Sequence, residues 1–155
     1  MIIVGYPCIG KSTLSNNSAG FMDLESSCWK VGEYRHDDWF KTYCNVAIDL
    51  SKQGNVVFVS SHKYVRDELE VRCLDEDFSE EIYVCFPSHD LEAAWKNKLR
   101  NRYSASKLIK DKLALERAEK FYKSDIAELA YCGFKKIVIT EEDYDLKNVV
   151  LSAIH

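Results

Sequence analysis

Gly5-Tyr6-Pro7-Cys8-Ile9-Gly10-Lys11-Ser12 fits the pattern G-x-x-x-x-G-K-[ST]. The apolar run Met1 to Gly5 (MIIVG) reads as a strand leading into it, and a helical pattern from Lys11 to Asn17 follows. That strand, loop and helix setting is the one in which the pattern binds phosphate. At average residue usage it arises by chance in only about one in a few hundred chains of this length. Gly5 and Gly10 let the backbone turn so that its N–H groups wrap phosphate oxygens, and the helix from Lys11 adds its N-terminal dipole. Lys11 is placed to bridge the β- and γ-phosphates, and the Ser12 hydroxyl to ligate Mg²⁺. The expected nucleotide contacts run from Gly5 through Tyr6, Pro7, Cys8, Ile9, Gly10, Lys11 and Ser12 to Thr13. Pro7 presets a backbone dihedral. Cys8 reads as a small loop side chain, although a helix N-terminus beside Lys11 favours a reactive thiolate.

Outward from the loop, short apolar runs alternate with longer helical patterns. Strands are expected at Met1 to Gly5, Gly20 to Leu24, Asn55 to Ser60, Glu81 to Phe86 and Lys136 to Thr140. Their continuous apolar character suits burial on both faces of a parallel sheet. Helices are expected near Lys11 to Asn17, Asp37 to Lys52, Lys63 to Leu74, Asp90 to Arg102, Ser106 to Cys132 and Tyr144 to Ile154. Gly54 and Gly133 stand where helix C-caps belong, and Ser88 to Asp90 offers an N-cap. The alternation implies one three-layer α/β domain over residues 1–155 with right-handed crossovers, its ligand at the carboxyl ends of the strands. Five loops meet there: residues 5–11, 24–36, 60–63, 86–90 and 140–144.

Composition narrows the class. The 155 residues are 46% hydrophobic and 30% charged with six Gly and two Pro, within the globular range and outside the disordered one. Nothing approaches the roughly 18 apolar residues of a membrane span, and the N-terminus lacks a signal-peptide pattern. No two of the six cysteines form a CxxC pair, so they read as reduced thiols of a soluble cytoplasmic protein. The net charge of −4 is unevenly placed: between Trp95 and Lys123 stand ten Lys or Arg against three Asp or Glu, a local +7. Either a nearby anion site or a solvated helix face accounts for that segment.

Signalling GTPases would carry NKxD and D-x-x-G elements, which are absent here. Motor-type ATPases usually end the third strand in a carboxylate, whereas this one ends VVFVSSH. The second strand instead ends in Asp23 and Glu25, a D-x-E pair. Taken in order, these elements resemble the small-molecule branch of the P-loop kinases: shikimate kinase, gluconate kinase and the adenylate-kinase-like nucleotide kinases. GYPCIGKST is similar to the adenylate kinase loop with its proline, and FMDLES resembles the D-x-D element after strand two. VVFVSSHKYVRDEL is similar to the third strand and following helix of gluconate kinase. EIYVCFPS and the helix holding Leu99-Arg100-Asn101-Arg102 resemble the strand and arginine-bearing lid helix of the group. KKIVITEEDYDLKNVVLSAI resembles the last strand and helix that flank the base of ATP. The DLESS and FVSSH elements are similar to small nucleotide-kinase-like proteins of phage and prophage.

The resemblance implies a P-loop fold with sheet order 2-3-1-4-5, a short helical lid near residues 100–107, and ATP with Mg²⁺. It makes Asp23 the carboxylate that orients or deprotonates the acceptor hydroxyl and supports Mg²⁺ together with Ser12. Glu25 becomes an acceptor contact, as does Arg66. Arg100 and Arg102 become lid arginines that stabilise charge on the transferring group. Ser60 and His62 line the same edge, His62 as a helix N-terminal residue more simply than as a general base. The sequence departs from the group at Cys8, where glycine is common, in a short lid (Tyr103 to Lys107), and in the missing third-strand carboxylate.

The acceptor pocket is expected from Ser26 to Trp39, where Trp29, Tyr34, Arg35, His36 and Trp39 suit a nucleobase and its phosphate. Phe40 and Tyr43 read instead as the core stripe of a helix. The leading expectation is an ATP-dependent phosphotransferase acting on a nucleoside monophosphate or nucleoside, as a monomer or homodimer. A 5′-hydroxyl polynucleotide kinase and a nucleotide-binding regulatory protein with little turnover are the alternatives. The acidic remainder of the chain, −11 outside the basic segment, argues against a channel for a nucleic-acid strand.

Overall fold

Ile2, Ile3 and Val4 are fully buried. In the computed structural model, which describes residues 1–30 and 34–155, they form the centre of a five-stranded, all-parallel sheet. The strands are β1 (Ile2–Gly5), β2 (Phe21–Asp23), β3 (Val56–Ser60), β4 (Ile82–Pro87) and β5 (Lys135–Ile139). Their order is 2-3-1-4-5, as expected from the sequence. Every residue of β1 and β4 is buried, which is what continuous apolar runs in central parallel strands require.

Among the described residues six α-helices cover the sheet: α1 (Lys11–Asn17), α2 (Trp39–Lys52), α3 (Lys63–Arg72), α4 (Glu92–Ser106), α5 (Ile109–Tyr131) and α6 (Leu146–Ile154). The crossover from β1 to β2 runs towards one sheet edge and the other three run the opposite way. Right-handed connections therefore place α1 on one face and α2, α3 and the α4–α5 pair on the other. In keeping with that division, α1 packs with α6, α2 with α3 and α4 with α5.

Local chemistry sets the boundaries. Gly54 follows α2 with φ 89° and Gly20 turns into β2 with φ 82°, conformations open to glycine. Asp145 caps α6 by accepting from the Asn148 N–H at 2.8 Å. Gly133 follows α5 without a left-handed conformation, Cys132 being the extended C-cap. The first expected helix of this region, Asp90 to Arg102, runs on through the short lid stretch to Ser106, and the chain breaks only at Lys107, φ 56°, and Leu108. No Gly or Pro interrupts the Tyr103 to Ser106 stretch. Ser106 accepts from the Leu108 N–H and donates to Asp111, turning the chain directly into α5. Of the expected acceptor segment Ser26 to Trp39, residues 31–33 lie outside the described residues. Among the described residues no helix is long and apolar enough to cross a membrane.

Candidate functional site

Register brings the carboxyl-terminal parts of four strands together: Gly5 lies beside Ser60 and Cys85, and Asp23 beside Phe58. From β1 the chain enters the Gly5–Ser12 loop. A Cβ on Gly5 would stand 2.7 Å from Lys11 Cδ and 2.9 Å from Ile9 Cδ1, so any other residue there would displace the Lys11 and Ile9 side chains that fold back over the loop. Gly10 (φ 97°) and Cys8 (φ 70°) are both left-handed. Glycine takes that turn freely; cysteine holds it against a steric cost of about 1–2 kcal/mol. The Lys11 ammonium folds back over the loop and donates to the Gly5 carbonyl at 3.2 Å. Burial lowers its pKa from the ordinary value, an effect that Asp23 and Glu25 partly offset.

At the next residue, the Ser12 hydroxyl donates to Asp23 Oδ2 at 2.7 Å. Two hard oxygen donors from α1 and β2 thus meet at the mouth of the loop. A magnesium ion fits such a pair, since it takes one or two protein oxygens and completes its shell with water and substrate phosphate. Among the described residues no group of three or more His, Cys, Asp or Glu is arranged to cage a metal.

A cavity of about 940 Å³ opens above the loop, lined from Tyr6 to Thr13 and by the ends of β2 and β3, α3 and the inner face of α5. Among the described residues eight Lys or Arg side chains and five carboxylates line it, a surplus of positive charge suited to a polyanion. Glu25 reaches Lys110 at 3.4 Å; burial raises its carboxyl pKa, but Lys110 and a backbone N–H outweigh that and hold it below the usual range. Arg35 lies 4.3 Å over the Trp39 ring and donates to Ser26 O and Oγ at 3.2 and 3.3 Å. Arg66, on α3, is buried and already held by Ser61 O at 3.2 Å and Glu128 Oε1 at 2.8 Å. The Ser60 N–H donates to Tyr43 Oη at 2.8 Å, and its hydroxyl faces the cavity edge beside the His62 N–H. His62 stands at the α3 N-cap, its ring edge-on to Trp39. Burial, then Arg35, Lys30, Arg117 and Lys11, lower its pKa below the ordinary 6.5.

The two arginines of α4 part company. Arg102 lines the cavity, its Nε 2.8 Å from Asp111 and its Nη1 3.9 Å from Cys8 Sγ. Arg100 does not line it; it is half-exposed and faces Glu119 at 3.4 Å. Residues two apart on a helix point in different directions, and here one turns inward while the other turns out. The surrounding basic segment is largely neutralised: seven of its ten cations carry a carboxylate partner.

Sequence reasoning missed Lys110, Asp111, Arg117, Asp125 and Glu128, all on one side of α5 and all lining the cavity. Their spacings repeat at helical intervals, a signal readable once α5 is known to lean over the carboxyl edge. It also missed Trp95 and Tyr144, which bond to loop carbonyls. No protein-family model, curated protein or solved structure matches the chain, so geometry and chemistry carry the functional reading.

Proposed function

We propose that this protein is a P-loop phosphotransferase that passes the γ-phosphoryl group of ATP, with Mg²⁺, to a nucleoside monophosphate or nucleoside. The observation that carries the reading is the Ser12 to Asp23 hydrogen bond beside the glycine-bounded loop. In that arrangement loop N–H groups and Lys11 grip the β- and γ-phosphates, and Ser12 with Asp23 would hold the metal. The ion supplies charge neutralisation to the phosphates when bound. Asp23, at the border between loop and acceptor space, is placed to receive the proton of the attacking hydroxyl. Arg102, aimed by Asp111, reaches over the phosphates and supports the charge that develops on the transferring group. Glu25, Arg35, Ser60 and Arg66 surround the acceptor, with the Trp39 ring beneath Arg35.

The paired basic segment weakens the case for a polynucleotide kinase, whose strand would need cations free for phosphates. Cys8 in a glycine-type conformation favours the second reading, a nucleotide-binding protein with little turnover. ADP release measured over nucleoside monophosphates, nucleosides, sugar acids and 5′-hydroxyl oligonucleotides separates these readings. Stimulation by a mononucleotide or nucleoside supports the phosphotransferase. Stimulation by oligonucleotides alone replaces it with a polynucleotide kinase, and none with any acceptor, despite ATP binding, leaves the binding protein.

A further inference from the structure

Two aromatic side chains from distant elements bond to the carbonyls that flank Cys8. Trp95 Nε1, on α4, donates to Pro7 O at 2.9 Å, and Tyr144 Oη, in the turn between β5 and α6, donates to Ile9 O at 2.9 Å. Their rings stack at 6.0 Å and 17°. Lys98 Nζ lies 4.5 Å from one centroid and 4.7 Å from the other, and donates to Glu142 O at 3.2 Å. The stack therefore ties α4 to the β5–α6 turn and anchors both to the loop.

Because a trans peptide is planar, its C=O and N–H point in opposite directions. The carbonyl of Pro7 shares its peptide with the Cys8 N–H, and that of Ile9 with the Gly10 N–H. Fixing the two carbonyls fixes those two amides. Among the described residues neither amide donates to a backbone carbonyl. We infer that Trp95 and Tyr144 are positioning residues that hold Cys8 in its left-handed turn and keep the Cys8 and Gly10 N–H groups aimed at an anion. The inference rests on the phosphate-binding reading of the loop for its ligand, but not for its effect on the free protein.

Tyr144→Phe removes one hydroxyl and leaves the stacked ring; it is the primary variant, with Trp95→Phe second because Trp95 is fully buried. Calorimetry with magnesium ATP and with inorganic tripolyphosphate is expected to show both affinities falling about fivefold in Tyr144→Phe, the fold-change matching roughly 1 kcal/mol for one neutral hydrogen bond. In a Cys8→Gly background the same hydroxyl removal should cost less than about twofold, since glycine holds the turn unaided. In the free protein, amide exchange across residues 6–11 should quicken in Tyr144→Phe while the Tm stays close to that of the parent.

A loss confined to ATP, with tripolyphosphate unaffected, would make Tyr144 a base contact and overturn the inference. So would an equal loss in the Cys8→Gly background, or unchanged exchange in the free protein. If the parent binds neither polyphosphate, the proposed function fails, and the exchange measurement alone decides the positioning role.

Discussion

Asp111 holds Arg102 by its Nε at 2.8 Å while itself almost wholly buried. A buried carboxylate paired in this way fixes the direction of a guanidinium, and Nη1 of Arg102 turns towards the Gly5–Ser12 loop, where it meets Cys8 Sγ. Arg102→Ala should therefore lower the turnover number by about 10³-fold, within the range of arginine contributions to phosphoryl transfer, with ATP affinity much less affected. Arg100→Ala, whose side chain faces Glu119, is the matched control. Steady-state rates for the two variants test the assignment, and equal losses would sink it.

Asp23→Asn should keep ATP binding while cutting transfer by about 10²- to 10⁴-fold, the span of general-base contributions. The amide is nearly the same size and still accepts from Ser12, so folding should survive. Isothermal titration beside a single-turnover assay separates the two effects. Near-parental transfer in the variant would move suspicion to Glu25 or His62.

Lys11→Ala should abolish most of the thermal stabilisation that ATP with Mg²⁺ gives. Ligand at about 100 times its Kd adds roughly 2.7 kcal/mol to the folded state. For a domain of this size each kcal/mol moves the Tm by roughly 2–4 °C, so the parental shift lies well within reach of a melting curve. An undiminished shift in the variant would mean that the loop is not the binding site.

His62 gives a pH dependence of predictable sign. Its folded pKa lies below the ordinary 6.5 because burial and four neighbouring cations oppose its charge. The unfolded chain therefore binds a proton more readily than the folded one does. The corresponding stability is complete above about pH 6.5 and is lost as pH falls through the folded pKa. Urea unfolding between pH 8 and pH 5 should show that decline, and His62→Gln should flatten it. A slope identical in the two proteins counts against the burial argument.

Much of this could be read from residues alone, because the informative features were local. Doubly buried strands leave unbroken apolar runs, so β1 and β4 stood out, and the glycine spacing around Lys11 located the loop. What escaped depended on tertiary geometry. That Arg102 turns inward and Arg100 outward follows from how α4 lies on α5, which no spacing within α4 records. The bonds from Trp95 to Pro7 and from Tyr144 to Ile9 span 88 and 135 residues. The cations from Lys96 to Lys123 looked like a patch in part because four of their pairings reach carboxylates outside the segment, at Glu25, Glu92 and Asp125.

Asp23 rides on β2, a strand of three residues at the sheet edge, paired in the sheet with β3 alone and half open to solvent. Short edge strands are the parts of a sheet that open most readily. The Ser12 hydroxyl ties this strand to α1, so whatever steadies the loop also steadies the rim. The carboxylate is thus mounted on a hinge-like margin instead of the rigid middle. Fraying of β2 becomes a gauge of occupancy: exchange at the Leu24 amide, which bonds to Phe58 O, should slow when magnesium nucleotide is added, although no nucleotide atom need touch it.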